Sequence, residues 1–556
     1  MKVPKSLATL SSIALLPLVV AEDYLISRSL SQGHVKRAES FNISIYHVND
    51  VHAHLDEIHT SGTECGDTTK GCFGGYARIK AAVDAKRPSA NNSLFLNIGD
   101  EFQGTLYYTF YGGEKIADTI NQLGFDAMTL GNHEFDMGEA YLGHFVSSAY
   151  LSSQFIALTT DTIPFISQPN PDTIFSDPIA TAQYWADYVY ANEDVERVVA
   201  MTHIGYQVDI ELARKTRGIH MIVGGHSHTP LGTMMGAEGE YPTIETNLDG
   251  DEVFIVTAWR YGVYLGYLDV EFSGRKVLSY TGGPVLLDNT TAQDAKLQKQ
   301  IKAWRGPFEE FANVVLGTTE VVLDESTCQT RECTLGNVMC DAMLAARASN
   351  PSIAGCVINA GGIRATIDAG NITRGQVLTA FPFGSALTEL TISGADLWKV
   401  WEGVVSGVSQ FNGRPVTSFA QVSRSVRVSY NPANPIGRRL INLELMVGDG
   451  KLETVEMGKE YTLVTVDFIA GGGDNIFPAA KEIISLDTQE EVLEGYIKAN
   501  SPIKTGLEGR IVVTDKTIPV VEQQHFDSAV VQSTGVMQTW LYHFNHLFVA
   551  PRYEKS

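Results

Sequence analysis

Gly131-Asn132-His133-Glu134-Phe135-Asp136, arriving straight after the short apolar run Ala127 to Leu130, is the stretch on which the fold turns. It couples a strand-like run to metal-ligating side chains, and four other segments repeat that coupling. Phe41 to Tyr46 precedes Asp50-Val51-His52, Leu94 to Ile98 precedes Asp100, Val198 to Met201 precedes His203, and Met221 to Val223 precedes Gly224-Gly225-His226-Ser227-His228. Alone, each segment reads as a solvated loop or a hydrogen-bonded core pair. Together they read as an α/β sheet whose strands deliver ligands from one end, because binding residues in such sheets converge beyond the carboxyl ends of the strands. Glycines beside Asp100, Asn132 and His226 suit turns in which backbone approaches a ligand closely.

The donors are imidazoles, carboxylates and one amide, with no cysteine among them. That set suits borderline divalent ions such as zinc or manganese in open, catalytic coordination rather than a closed structural zinc cage. His47, His54, His59, His144 and His220 do not share the pattern and read as surface or packing histidines.

A second constellation has different chemistry. It comprises Arg331-Glu332-Cys333-Thr334-Leu335-Gly336-Asn337, Asn359-Ala360-Gly361-Gly362-Ile363-Arg364, Phe381-Pro382-Phe383-Gly384 and Phe468-Ile469-Ala470-Gly471-Gly472-Gly473-Asp474. Arginine forks bind phosphate or carboxylate, amides and carboxylates bind sugar hydroxyls and ring nitrogens, and aromatic pairs can sandwich a flat base.

With both constellations in view, the chain resembles the two-domain 5′-nucleotidase family of metallophosphoesterases. The resemblance implies an N-terminal metallophosphoesterase domain, a four-layer α/β/β/α sandwich, joined by a helix to a C-terminal α/β nucleotide-binding domain. It implies Asp50, His52, Asp100 and His228 around one ion, Asp100, Asn132, His203 and His226 around the other, and Asp100 as the bridge. His133 would face the phosphate and Asp136 would orient it. In the second half, Phe383 and Phe468 would stack on the base, Asp474 would bind the ribose, Asn359 the base, and Arg331 and Arg364 the phosphate. Two divalent ions about 3.5–4 Å apart activate a bound water and hold phosphoryl oxygens during in-line displacement. The expected reaction is therefore hydrolysis of nucleoside 5′-monophosphates, zinc being the first expectation for both ions. Nucleotide sugars or di- and triphosphates are the alternative substrates, and an inactive nucleotide-binding or adhesion protein is the alternative of another class.

At 556 residues with 44% hydrophobic content, the chain can bury two cores. The expected divisions are a signal peptide at 1–21, a propeptide at 22–38, the metallophosphoesterase domain at 39–290, a linker helix within 291–316, the substrate domain at 317–515 and an extension at 516–556. Lys2 and Lys5 ahead of a short apolar stretch ending at Ala21 give the secretory signal, and Lys36-Arg37 reads either as a dibasic processing site or as a solvated basic pair. Sequons fall at Asn42, Asn91, Asn289 and Asn371. Six cysteines in an exported chain point to disulfides but allow 15 connectivities; the resemblance supports Cys65 with Cys72, Cys328 with Cys333 and Cys340 with Cys356. A net charge of −23 argues against a nucleic-acid partner, while two cations can reverse the potential inside one cleft. Val536 to Ala550 is too polar for a lipid-anchor tail, so no stable membrane anchor is expected. A homodimer is compatible with the resemblance.

Two departures stand out. Relatives usually carry additional strands between the counterparts of Asp136 and of Phe155-Ile156-Ala157-Leu158-Thr159-Thr160, whereas here a helix over 141–149 runs almost directly into that strand. The shortening around 145–155 predicts exposed sheet edges. Arg424 stands where relatives commonly have glycine.

Overall fold

A computed structural model describes residues 40–515 except 60–61, 66–70, 91, 149–155, 448–449 and 482. The leader, Lys36-Arg37, the Asn91 sequon and the 516–556 extension lie outside the described residues.

In chain order the first half forms β1 (Phe41–Val48), β2 (Ser93–Asn97), β3 (Ala127–Met128), β4 (Ile156–Thr159), β5 (Val198–His203), β6 (Ile219–Gly224), β7 (Thr243–Thr246), β8 (Glu252–Val256), β9 (Tyr264–Ser273), β10 (Lys276–Gly282) and β11 (Val285–Leu286). They make two sheets. One runs β10-β9-β1-β2-β3 with β11 added to β9, and the other runs β4-β5-β6-β8-β7. The strands that lead into the ligand segments pair in parallel, β1 with β2, β2 with β3, and β5 with β6.

Four layers follow from which way each side chain points. Successive residues of a strand face opposite sides, and here both sides are apolar. Ile45, Leu96 and Ile98 meet Met201, Met221, Val223, Phe254 and Val256 between the sheets. Their neighbours Tyr46, Val48 and Phe95 face outward onto Ile79, Ile120, Leu297 and Ile301 of the covering helices Tyr76–Lys86, Glu114–Leu123 and Ala295–Ala312. On the other outer face, Ala200, Ile222 and Ile255 pack on Ala182, Ala186 and Leu212 from helices Pro178–Asn192 and Tyr206–Lys215. A buried aliphatic or aromatic side chain contributes about 1.5–3 kcal/mol, so the doubly covered sheets form a stiff platform for the loops at their ends.

Helix Ala295–Ala312 begins where Asp294 accepts the Leu297 amide at 2.8 Å. Its buried Leu297, Ile301 and Phe308 lie along one face, which docks on the first half of the chain. Beyond it, the second half forms β12 (Val315–Thr319), β13 (Ile353–Asn359), β14 (Gly370–Thr373), β15 (Leu387–Ser393), β16 (Ala420–Val422), β17 (Val426–Tyr430), β18 (Leu440–Val447), β19 (Lys451–Thr454), β20 (Glu460–Val466) and β21 (Ile511–Val513). Sheets β15-β20-β13-β16 and β19-β18-β17-β21 share one core around Met339, Val357, Trp401, Leu443 and Leu463.

Two cysteine pairs are bonded, Cys65–Cys72 and Cys328–Cys333. The expected third is not: Cys340 and Cys356 are buried free thiols. Cys340 Sγ lies 3.4 Å from the Gln421 carbonyl and Cys356 Sγ 3.7 Å from Met343 Sδ, and burial with the neighbouring Cys340 thiol pushes the Cys356 thiol well up, so the two stand side by side as unbonded thiols. Asn42, Asn289 and Asn371 are exposed. Arg424 adopts no left-handed backbone, and its amide bonds Asp341 at 2.9 Å, so the position accepts a side chain. β3 and β4, on either side of residues 149–155, are terminal strands of their sheets. No helix among the described residues is long and apolar enough to cross a membrane.

Candidate metal centre and substrate cleft

The ligand segments leave their strands through tight, left-handed turns. Asp50, His52, Asp100, His226 and His228 all have φ between 50° and 84°, a region that costs an ordinary residue roughly 1–2 kcal/mol. Hydrogen bonds hold them there. The amides of Asp50, His52 and Ala53 donate to the carbonyls of Gly99, Asp100 and Glu101 at 2.8–3.0 Å, zipping the loop after β1 to the loop after β2. The buried Glu134 carboxylate gathers four more amides, from Asp100, Glu101, Phe102 and Gly131. At Gly131 a Cβ would stand 2.1 Å from Asp100 Oδ1, so only glycine lets the two loops close on each other.

Three overlapping groups bring their ligand atoms within 4.8 Å of one another: Asp50 with His52 and His228, Asp100 with His203 and His226, and His52 with Asp100 and His133. Their tautomers suit a cation. His52 and His203 use Nδ1 to donate to the carbonyls of Phe102 and Ile98, at 3.1 and 2.7 Å, which leaves both Nε2 lone pairs facing the site. Asn132 Oδ1 and His203 Nε2 are buried without a hydrogen-bond partner. Although His203 Nε2 lies 3.0 Å from Asp100 Oδ2, the pair is not aligned as a hydrogen bond. Unpaired buried acceptors converging on one region fit divalent cations. Burial pulls the His203 pKa down, but Asp100 and Asp50 push it up to about 10, a measure of how strongly the carboxylates draw positive charge there. Asp50, His52, Asp100, Asn132, His203, His226 and His228 thus stand together and could hold metal.

His133 and Asp136 are hydrogen-bonded neighbours. His133 Nδ1 donates to Asp136 Oδ2 at 2.7 Å, and Ser167 Oγ donates to Asp136 Oδ1 at 2.7 Å. Burial lowers the His133 pKa, yet the carboxylates of Asp136 and Asp100 outweigh it and raise the net value.

A cleft of about 1850 Å³ joins this centre to the second half of the chain and is lined by His133, Asp136, Asn359, Arg364, Phe383, Phe468 and Asp474 among others. Contact across it is direct. Arg364 Nη2 lies 3.0 Å from His52 Nε2, the Phe383 ring stacks on His133 at 5.6 Å, and Tyr261 Oη donates to the Arg364 carbonyl at 2.8 Å. Asp474 accepts Asn359 Nδ2 at 2.7 Å and Thr417 Oγ1 at 2.9 Å. At Gly473 a Cβ would come within 2.7 Å of the Phe468 ring, so glycine lets that ring lie flat on the chain.

The calcineurin-like phosphoesterase profile matches residues 43–230, and the 5′-nucleotidase C-terminal domain profile matches residues 315–482. A 5′-nucleotidase of Mus musculus is 33% identical over 85% of this chain and 91% of its own length. The chain belongs to the 5′-nucleotidase family. A second member, from Diplobatis ommata, is 31% identical over 98% of this chain and 99% of its own. The solved 5′-nucleotidase precursor of Thermus thermophilus superposes with a TM-score of 0.77 at 32% identity, covering 86% of this chain and all of that one.

One expected 5′-nucleotidase contact is corrected. Arg331 is exposed and absent from the cleft wall, where Gln329 and Thr330 stand instead. Gln421 Nε2 donates to the carbonyls of both Cys328 and Arg331 at 2.7 Å, which turns the Arg331 backbone inward and its side chain outward. Spacing alone did not reveal this, since four residues between bonded cysteines give no sign of which faces the cleft. Glu134 lies inside the Gly131–Asp136 motif, but only its buried amide contacts disclose its role. Arg260, whose Nη2 bonds Glu325 at 2.8 Å across the cleft, carried no motif signal.

Proposed function

We propose that the chain hydrolyses nucleoside 5′-monophosphates to nucleoside and phosphate outside the cell. The observation that carries this reading is the direct apposition of His133 and His52 with Phe383 and Arg364 across the cleft. It supports a nucleotide lying with its phosphate end toward the His and Asp cluster and its base end toward the aromatics.

Asp50, His52, Asp100 and His228 would hold one divalent ion, and Asp100, Asn132, His203 and His226 the other, zinc suiting the mixed nitrogen and oxygen donors best. When bound, such a pair supplies an activated water and neutralises charge on the phosphoryl oxygens. The chain's own groups do the remainder. Arg364 orients the phosphate with its fork, and His133, protonated and held by Asp136, donates to the phosphoryl group or to the departing 5′ oxygen. Asp474, presented by Asn359 and Thr417, is placed to accept ribose hydroxyls, while Phe383 and Phe468 contact the base. Closure around the substrate excludes water from the reacting phosphorus. The leader-like N-terminus and the two disulfides support an extracytoplasmic destination.

The cleft is larger than a typical small-molecule pocket of about 300–1,000 Å³, which favours nucleotide sugars and di- or triphosphates as competing substrates. Phosphate release from AMP, ADP, ATP and UDP-glucose, assayed side by side with and without chelator, separates the readings. Chelator-sensitive release that is fastest with AMP supports the proposal. Equal or faster turnover of the longer substrates, or adenosine binding with no phosphate release in zinc or manganese, refutes it.

A further inference from the structure

Behind Phe383 the cleft wall contains a carboxylate that the reaction does not use. Glu490, on the first turn of helix Gln489–Asn500, is only 7% exposed and lines the cleft. One of its oxygens accepts the Gly384 amide at 2.8 Å, and the other is buried without a partner. Gly384 directly follows Phe383 and has a φ of 65°, so its amide sits at the point where the loop carrying that ring turns back. The same segment ties down the rest of the loop: the Gln489 amide donates to the Ser385 carbonyl, and the Leu387 amide donates to the Asp487 carbonyl, each at 2.9 Å.

The two clamp aromatics are held differently. Phe468 packs against the core of the second half and lies on Gly473. Phe383 belongs to no core cluster, and its ring contacts are His133 at 5.6 Å and the Arg364 guanidinium at 5.8 Å, both groups of the site itself. Core packing therefore does not set its height, and the backbone of its loop must. A half-satisfied buried carboxylate lowers stability, a cost expected at a functional position rather than at a filler of space.

We propose that Glu490 is a positioning residue for the base clamp, holding the Gly384 amide so that Phe383 stands where a nucleobase can stack on it. This rests on the nucleotidase reading of the cleft. The test is steady-state kinetics of the full chain on AMP and on ribose 5-phosphate, which presents a 5′ phosphate ester on ribose without a base. Losing a net hydrogen bond of about 1 kcal/mol predicts that Glu490→Ala raises the AMP KM about fivefold, with kcat nearly constant and a much smaller change for ribose 5-phosphate. Glu490→Gln, which keeps an acceptor for the amide, restores the AMP KM. An unchanged AMP KM, an equal rise on both substrates, or failure of Gln to restore it overturns the assignment. If Glu490→Ala does not fold, Glu490→Asp, one methylene short of the amide, gives the same readout. Phe383→Ala separates the two readings. If it does not raise the AMP KM selectively, the base clamp itself is wrong and Glu490 falls with it; if it does and Glu490→Ala does not, only the Glu490 assignment fails.

Discussion

Replacing Glu134 by glutamine changes one atom at the hub of the metal-bearing loops. One carboxylate oxygen accepts the Glu101 and Phe102 amides at 2.7 and 3.2 Å, and the other accepts the Asp100 and Gly131 amides at 3.0 and 2.6 Å. Glutamine keeps the volume but has one oxygen. Whichever way its amide turns, two backbone N–H groups lose an acceptor and face an NH₂ group in a site with no solvent exposure. At about 1.5–3 kcal/mol for each hydrogen bond to a charged group, the loss is about 3–6 kcal/mol. The lower figure, for a domain of this half's size, lowers the melting temperature by roughly 6–12 °C. Because the released amides belong to the loops that carry Asp100 and Asn132, the ligand set loosens as well. Turnover should fall by about 10²-fold, the usual consequence of a misplacement near 1 Å. Differential scanning calorimetry, AMP kinetics and calorimetric titration with zinc read these three effects. A Glu134→Gln protein with wild-type melting temperature and zinc affinity would refute the view that this carboxylate assembles the site.

The remaining predictions concern the division of labour across the cleft. His133→Ala should lower kcat by about 10²-fold or more while changing KM far less, as expected for a group that acts on the transition state; a pure KM effect would make it a binding residue only. Phe468→Ala should weaken adenosine affinity by about 1–3 kcal/mol, the contribution of one base stacking on an aromatic ring, and undiminished affinity in calorimetry would remove it from the clamp.

The metal-ligating side of the molecule was the more legible in sequence, for a physical reason. Each candidate ligand stands at the last residue of a strand or two to four residues beyond it, and a strand buried on both faces announces itself as an apolar run. β5 runs through His203, two residues past its expected end, which places that ligand on the strand itself. The substrate side depends on loops, whose side-chain directions are set by contacts distant in sequence. Arg331 was misplaced because Gln421, about 90 residues downstream, decides which way its turn faces. Cys340 and Cys356 resemble a pair by elimination and do lie side by side, yet they stand as free thiols that also contact Gln421 and Met343. Glu490 and Arg260 carried no motif at all, because a lone charged residue becomes informative only when its burial is known.

Charge in the cleft leads to one further expectation. Among the described residues its wall contains three arginines and no lysine, against a larger number of carboxylates. Arg260 is paired with Glu325 and Arg374 with Glu494, so Arg364 is the arginine of the wall that makes no ion pair. The Arg364 guanidinium and the imidazoles of His133 and His203, whose pKa values the carboxylates raise, do no more than balance Asp50, Asp100 and Asp136, which leaves the dianionic phosphate without a counter-charge. Phosphate affinity should therefore depend on divalent cations, whereas the aromatic and Asp474 contacts to a nucleoside should not. Calorimetric titration of the chelated protein tests this with two ligands that differ only in the phosphate. Chelation should weaken AMP binding at least about tenfold more than adenosine binding, a difference of about 1.4 kcal/mol. Equal losses would mean that removing the cations disorders the whole cleft, and an AMP affinity indifferent to chelation would mean that Arg364 and its neighbours hold the phosphate without them. Equal losses would overturn the expectation that the aromatic and Asp474 contacts stand without cations, and an indifferent AMP affinity would separate phosphate recognition from the strand-end cluster and overturn the placement of the phosphate against it.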